Sequence, residues 1–311
     1  MESNKRSYAK IILLWLNVLF YTVLITLVFA IFKKGEVGIT EWIKAFTPAS
    51  TGQYWFFSAY FILFFLMPFL NQLLHALDAK KQFALVLTLV LCFSVLPTIR
   101  QGGDAFVINS GYSPLWLIVL YLLGGCVKKA NLLERIQLKW WVTMLGSSLL
   151  ICIISKFAME YVTNRLLGEV KGGGILVSYI SPLMILIALS LLAIFARIKV
   201  DNERLSKIIL LVSGSTFSVY IIHEHPLLKH EFLIDSCIPL LQLSPVVMVL
   251  SVLGIAALIF IACTLVDMIR VFAFKALKVN KFAQAICKFT GDKLDKVYKR
   301  ISKEEEEQKE E

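Results

Sequence analysis

Apolar residues in this chain neither alternate nor recur as narrow stripes; they come in long runs. A helix needs about 20 mostly apolar residues to cross the hydrocarbon core of a bilayer. Eight runs approach that length: Ile11 to Phe32, Tyr54 to Leu74, Phe83 to Ile99, Leu115 to Val127, Trp140 to Phe157, Ile175 to Phe195, Ile208 to Ile222 and Val246 to Phe272. Leu115 to Val127 and Ile208 to Ile222 are the least apolar and carry Gly124, Gly125 and Gly214. Small residues there let helices pack closely, as in short or tilted spans inside a bundle. The first run follows Lys5, Arg6 and Lys10, as in a signal peptide. It is too long for a signal core and lacks a clean cleavage site, so it reads as a retained helix. The pattern predicts an all-α, polytopic transmembrane helix bundle of about eight spans over residues 1–272, with a separate segment at 273–311.

Composition agrees with the runs. Of the 311 residues, 58% are hydrophobic and 17% charged. A soluble domain has fewer of the first and more of the second, and a disordered chain lacks the apolar residues altogether. The six Cys are sparse and form no CxxC pair, which argues against a disulfide scaffold or a zinc ribbon.

The net charge of +10 changes the picture less than it first suggests. Its basic residues sit in short segments between apolar runs, whereas nucleic-acid binding would want them on a folded soluble face. With eight spans both termini lie on one side. That side holds 24 of the 32 Lys and Arg, and the other holds 8. The excess predicts both termini in the cytoplasm, with Lys33 and Lys34 dissenting. No nucleic-acid partner is implied. From Ala273 to Ile301, Leu277, Phe282, Ile286 and Phe289 mark one stripe with lysines between them. This predicts an amphipathic helix on an anionic leaflet, with membrane lipids as partners. The final stretch from Lys303 to Glu311 reads as an acidic solubilising tail.

Polar groups among the runs are the candidates for chemistry, because each is costly in a membrane unless paired or wet. The densest set is Ser213 to Pro226, ending in His223, Glu224 and His225. Pro226 disfavours helix at the residue before it and breaks any continuation toward His230. Two His flanking a Glu admit a metal site, acid–base or acceptor-binding work, or a hydrogen-bonded helix terminus. His-x-His on a helix points to different faces and no HExxH is present, so no metal is predicted. Tyr54, Trp55 and Tyr60 suit an interfacial aromatic belt, and aromatic rings also stack on sugars. Lys128 and Lys129 in one basic loop, and Arg197 and Lys199 in another, could hold a phosphorylated donor, although membrane topology alone explains them. Asp267 and Arg270 have the spacing of an ion pair on one helix face.

Three stretches carry a resemblance. Residues 54–71 (YWFFSAYFILFFLMPFLN), Leu120 to Cys126 (LYLLGGC) and residues 215–226 (STFSVYIIHEHP) resemble, in this order, segments of acyltransferase family 3. The resemblance implies an integral enzyme of the cell membrane. It would move an acetyl or other acyl group from acyl-CoA, used as a donor substrate rather than a bound cofactor, to hydroxyls of surface glycans or lipid-linked acceptors. His223, Glu224, His225, Trp55 and Tyr60 would then lie on the acceptor side. Lys128, Lys129, Arg197 and Lys199 would lie on the donor side.

The family places its key histidine in the first span, with ten residues between it and a preceding Arg or Lys, within about ten spans. Here the positions eleven before His75, His223, His225 and His230 are Phe64, Val212, Gly214 and Val219. The main catalytic residue is therefore unassigned. The expectation is that two N-terminal spans are lacking, through a truncated gene or a chain that has lost catalysis, and that the 311 residues show no acyl transfer. A transporter or flippase of lipid-linked sugars, or a non-catalytic scaffold, is the alternative. A transporter would want inverted repeats or a charged central path, and neither is visible.

Overall fold

The computed structural model describes residues 8–33, 35–100, 104, 106–234 and 237–290. Among these there is no strand. The helices in chain order are α1 (Ala9–Phe32), α2 (Ile39–Phe46), α3 (Trp55–Ala76), α4 (Ala79–Val90), α5 (Leu96–Arg100), α6 (Pro114–Lys129) and α7 (Leu132–Arg135). They continue with α8 (Leu138–Leu167), α9 (Pro182–Phe195), α10 (Glu203–His223), α11 (Pro226–Phe232) and α12 (Pro245–Ala276). Residues 279–290 are also helical. A π-helical turn, Leu91–Val95, joins α4 to α5.

Each of the eight predicted runs contains helix, and six helices among the described residues are long and apolar enough to cross a membrane. The other two are α6, with 16 residues, and α9, with 14. At 1.5 Å per residue they rise about 24 and 21 Å, short of a roughly 30 Å hydrocarbon core. The apolar run from Ile175 gives no helix before Pro182, because Ser181 caps the helix there, its hydroxyl accepting from Leu183 N, and Pro182 takes the first position. In the other direction, the run from Ile208 is extended back to Glu203, where the Asn202 side chain accepts from the Arg204 and Leu205 amides. Polar caps, which hydropathy ignores, set both limits. The predicted helix across 273–301 is divided: α12 ends at Ala276, and Lys278 is left-handed (φ 54) before helix resumes at 279. Its part beyond residue 290, and the acidic tail, lie outside the described residues.

The chain forms two compact units. One comprises residues 1–54 and 202–311, the other residues 55–201. In the first, α1 packs on α2, α10 and α11, and α10 packs on α12. The buried stripe of α1 is Asn17, Val18, Tyr21, Thr22, Ile25, Thr26 and Phe29, three to four residues apart. Three of its polar members are paired. Asn17 Nδ2 donates to Ser218 Oγ at 3.0 Å, Tyr21 OH donates to Asp267 Oδ1 at 2.8 Å, and Thr22 Oγ1 donates to the Ala45 carbonyl at 2.7 Å. Asp267 is fully buried and also receives Arg270, Nε to Oδ1 at 2.6 Å and Nη2 to Oδ2 at 3.1 Å. The expected Asp267–Arg270 pair is therefore present, with Tyr21 as a third member.

In the second unit, α8 packs on α9, and α3 and α4 pack on α6. Its core gathers Leu74, Leu89, Trp116, Val119, Leu122 and Leu123. A Cβ at Gly125 would overlap Leu74 Cδ1, so α3 and α6 approach through that glycine. Ser94, fully buried in the π-helical turn, donates to the Ile180 carbonyl.

Candidate functional site

The end of α10 is the strongest candidate, and its geometry follows from one local break. Pro226 lacks an amide hydrogen and restrains the residue before it, so the helix stops at His223 and a new one, α11, opens at Pro226. The two intervening residues then face different surroundings. His225 turns inward: it is 2% exposed, and its Nδ1 accepts from the Leu227 amide at 3.3 Å as the N-cap of α11. Its ring centroid lies 6.4 Å from that of Tyr54, which is itself fully buried and 6.0 Å from the Tyr220 ring. Burial pushes the His225 pKa down to about 4, partly offset by the Thr22 backbone, so the imidazole is neutral near pH 7. His225 Nε2 and the Tyr54 hydroxyl make no hydrogen bond of ordinary geometry.

His223 and Glu224 remain partly open, with side chains 33% and 34% exposed. His223 Nδ1 lies 2.7 Å from the Val219 carbonyl one turn back. A carbonyl only accepts, so Nδ1 carries the proton, and in the neutral ring the lone pair belongs to Nε2. That nitrogen lies 3.7 Å from Glu224 Oε1. Glu224 Oε2 in turn receives Lys229 Nζ at 2.7 Å. The arrangement is an accessible imidazole base with a carboxylate beside it, and a lysine from α11 holding that carboxylate. His230, also on α11, is exposed. Of the three predicted residues, His223 and Glu224 lie together on the partly open side and His225 serves as a helix cap. Lys229 was not singled out from the sequence, where it reads as one more loop charge. Its role depends on the turn between α10 and α11 bringing it back to Glu224.

The remaining candidates lie in the other unit. Trp55 packs edge-on to Tyr112 at 4.8 Å and lies 6.5 Å from Tyr179, while Tyr60 stacks with Phe56 at 6.3 Å. Tyr112 and Tyr179 are both exposed, so Trp55 belongs to an open aromatic cluster. On the basic loops, Lys128 and Arg197 line one cavity of about 570 Å³, together with Asn131 and Glu134. Lys129 and Lys199 do not line it. Lys129 Nζ is spent on the end of α3, donating to the Leu74 and Leu77 carbonyls at 2.8 and 2.7 Å. Arg197 Nη2 donates to the Leu133 and Ile136 carbonyls, so one of the two cavity cations also closes the end of α7. Among the described residues no group of three His, Cys, Asp or Glu is placed to hold a metal ion.

A family model described as an acyltransferase domain matches residues 3–270. No curated protein and no solved structure matches the chain.

Proposed function

The chain belongs to acyltransferase family 3, and from that premise we propose that it carries out O-acyl transfer in the cell membrane. The donor is acyl-CoA, acetyl-CoA in the simplest case, and the acceptor is a hydroxyl of a surface glycan or lipid-linked sugar. The single observation behind the acceptor side is the 2.7 Å approach of His223 Nδ1 to the Val219 carbonyl, which leaves Nε2 to take a proton. In the step, the acceptor oxygen attacks the thioester carbonyl and gives its proton to His223 Nε2. The new C–O bond forms, the C–S bond breaks, and the proton passes to the departing thiolate. Glu224 steadies the imidazolium, and Lys229 holds Glu224 in place. Lys128 and Arg197 supply positive charge to the donor phosphates in their cavity. Both termini are placed in the cytoplasm on the charge distribution alone.

A second reading rests on one sequence fact. None of the four His follows an Arg or Lys at the spacing of the family's first-span base. Under it, these 311 residues bind an acceptor but turn over nothing. Labelled acetyl-CoA and a glycan acceptor, supplied to the full chain in lipid nanodiscs, separate the two. The first reading expects label on the glycan, reduced about 10²- to 10⁴-fold in His223→Gln. Glycan binding without transfer supports the second. Sugar counterflow in proteoliposomes without CoA would overturn both in favour of a transporter.

A further inference from the structure

We infer that the unit containing α1 and α12 holds one anionic phospholipid, its phosphate at Lys10 and Lys275 and an acyl chain along α1. This inference is independent of acyl transfer. At the start of α1 and the end of α12 a cavity of about 580 Å³ is lined by Lys10, Asn17, Arg270, Lys275 and Asn280 among apolar side chains. Three of its lining residues are cationic and none is acidic. Arg270 is already matched by Asp267, which leaves the two lysines as the net charge. Asn17 and Asn280 add amide donors for phosphate or glycerol oxygens.

A second cavity, of about 520 Å³, shares Phe274 with the first. Its walls are apolar throughout, from Leu16 and Phe20 to Leu27 on α1, with Phe46 and Phe282. Phe274 stands between the two: its ring meets Phe20 edge-on at 5.5 Å and lies 5.0 Å from the Arg270 guanidinium. The eleven steps from Leu16 to Leu27 rise about 16 Å. That is close to half of a roughly 30 Å hydrocarbon core, the depth of one leaflet. The left-handed turn at Lys278 brings Val279 and Phe282 to the channel and Asn280 to the cationic cavity.

Any lipid-facing groove touches acyl chains. What this one adds is a selection of charge: a cationic mouth between α1 and α12, and one leaflet's length of apolar wall, with α1 lining both. A zwitterionic headgroup brings its own ammonium against the lysines, whereas phosphatidylglycerol brings only the phosphate.

Native mass spectrometry of the full chain, released from detergent with equal phosphatidylglycerol and phosphatidylcholine of identical chains, tests this. The expected result is one retained phosphatidylglycerol. Each of Lys10→Gln and Lys275→Gln should lower the preference about fivefold, while Lys81→Gln leaves it unchanged. If one lysine variant fails to fold, the other carries the test, and Leu24→Trp, which fills the channel, should lower retention of both lipids. Equal retention of the two lipids by the wild type would overturn the inference. So would a preference untouched by the lysine variants, displacement of the lipid by CoA, or a second copy of the chain in its place.

Discussion

In the unit built from α1, α2 and α10 to α12, the polar side chains that matter lie between helices far apart in the sequence. Tyr21 reaches Asp267 and Asn17 reaches Ser218, so α1 is tied to α12 and α10 by buried hydrogen bonds. In the unit from α3 to α9, Tyr121 OH donates to Asn71 Oδ1 at 2.7 Å between α6 and α3, and the long cationic side chains work at helix ends. Lys129, at the end of α6, closes α3, and Arg197, just after α9, closes α7. The orphan carbonyls of a helix end need donors wherever water is scarce, and a lysine or arginine supplies them without being buried among apolar groups. A polar group within a span has no such escape and must find its partner inside the bundle. One unit therefore ties helices distant in the sequence by buried polar pairs, and the other uses its cations to finish helix ends.

The sharpest way to break this contrast is Asp267→Leu. It leaves the Arg270 guanidinium, whose side chain is 12% exposed, without its counter-charge, and should cost about 3–5 kcal/mol. Replacing both members, Asp267→Leu with Arg270→Met, should recover most of that loss, as read by thermal unfolding in detergent. Equal loss in the single and double variants would show that the pair does not specify the packing.

The next effect is pH-dependent and confined to the same unit. His225 titrates near 6.5 when unfolded and is pushed down to about 4 when folded. Between those values the unfolded chain takes up a proton that the folded one refuses, so stability is full above pH 6.5 and falls as pH drops toward 4. The loss reaches about 3 kcal/mol at its limit. His225→Asn, which retains a capping side chain, should flatten that slope. An unchanged slope would place the titrating group elsewhere.

The smallest effect belongs to the helix ends. Arg197→Gln should cost about 1.5–3 kcal/mol for its lost charge-assisted hydrogen bonds. Arg197→Lys should recover only part of it, because an ammonium lacks the planar fork. A loss matching that of Asp267→Leu would erase the distinction between the units.

The apolar runs made the helices legible, since a run of some 20 residues is a direct consequence of bilayer thickness. The limits were less so. Ser181–Pro182 cut one run short, and Asn202 extended another, through amide hydrogen bonds that a hydropathy window averages away. The Asp267–Arg270 pair was readable because its members stand three residues apart on one helix. Its partner Tyr21 was not, because nothing in a single sequence relates positions 21 and 267. At the candidate site the residue types were legible and their division of labour was not. His223 and His225 look alike on paper, yet the break before Pro226 leaves one at the surface and buries the other.

The π-helical turn at Leu91–Val95 has a consequence for everything that follows it. Such a turn holds one residue more than an α-helix would need, which advances the angular phase of the chain by about 100°. Upstream and downstream of Ser94 the same helix therefore addresses two different sides of its surroundings, as a stepped shaft would. Deleting one residue from 91–95 would preserve the length of the apolar run almost unchanged and rotate α5 away from its present neighbours. A hydropathy profile counts residues and is blind to that rotation; the fold is not.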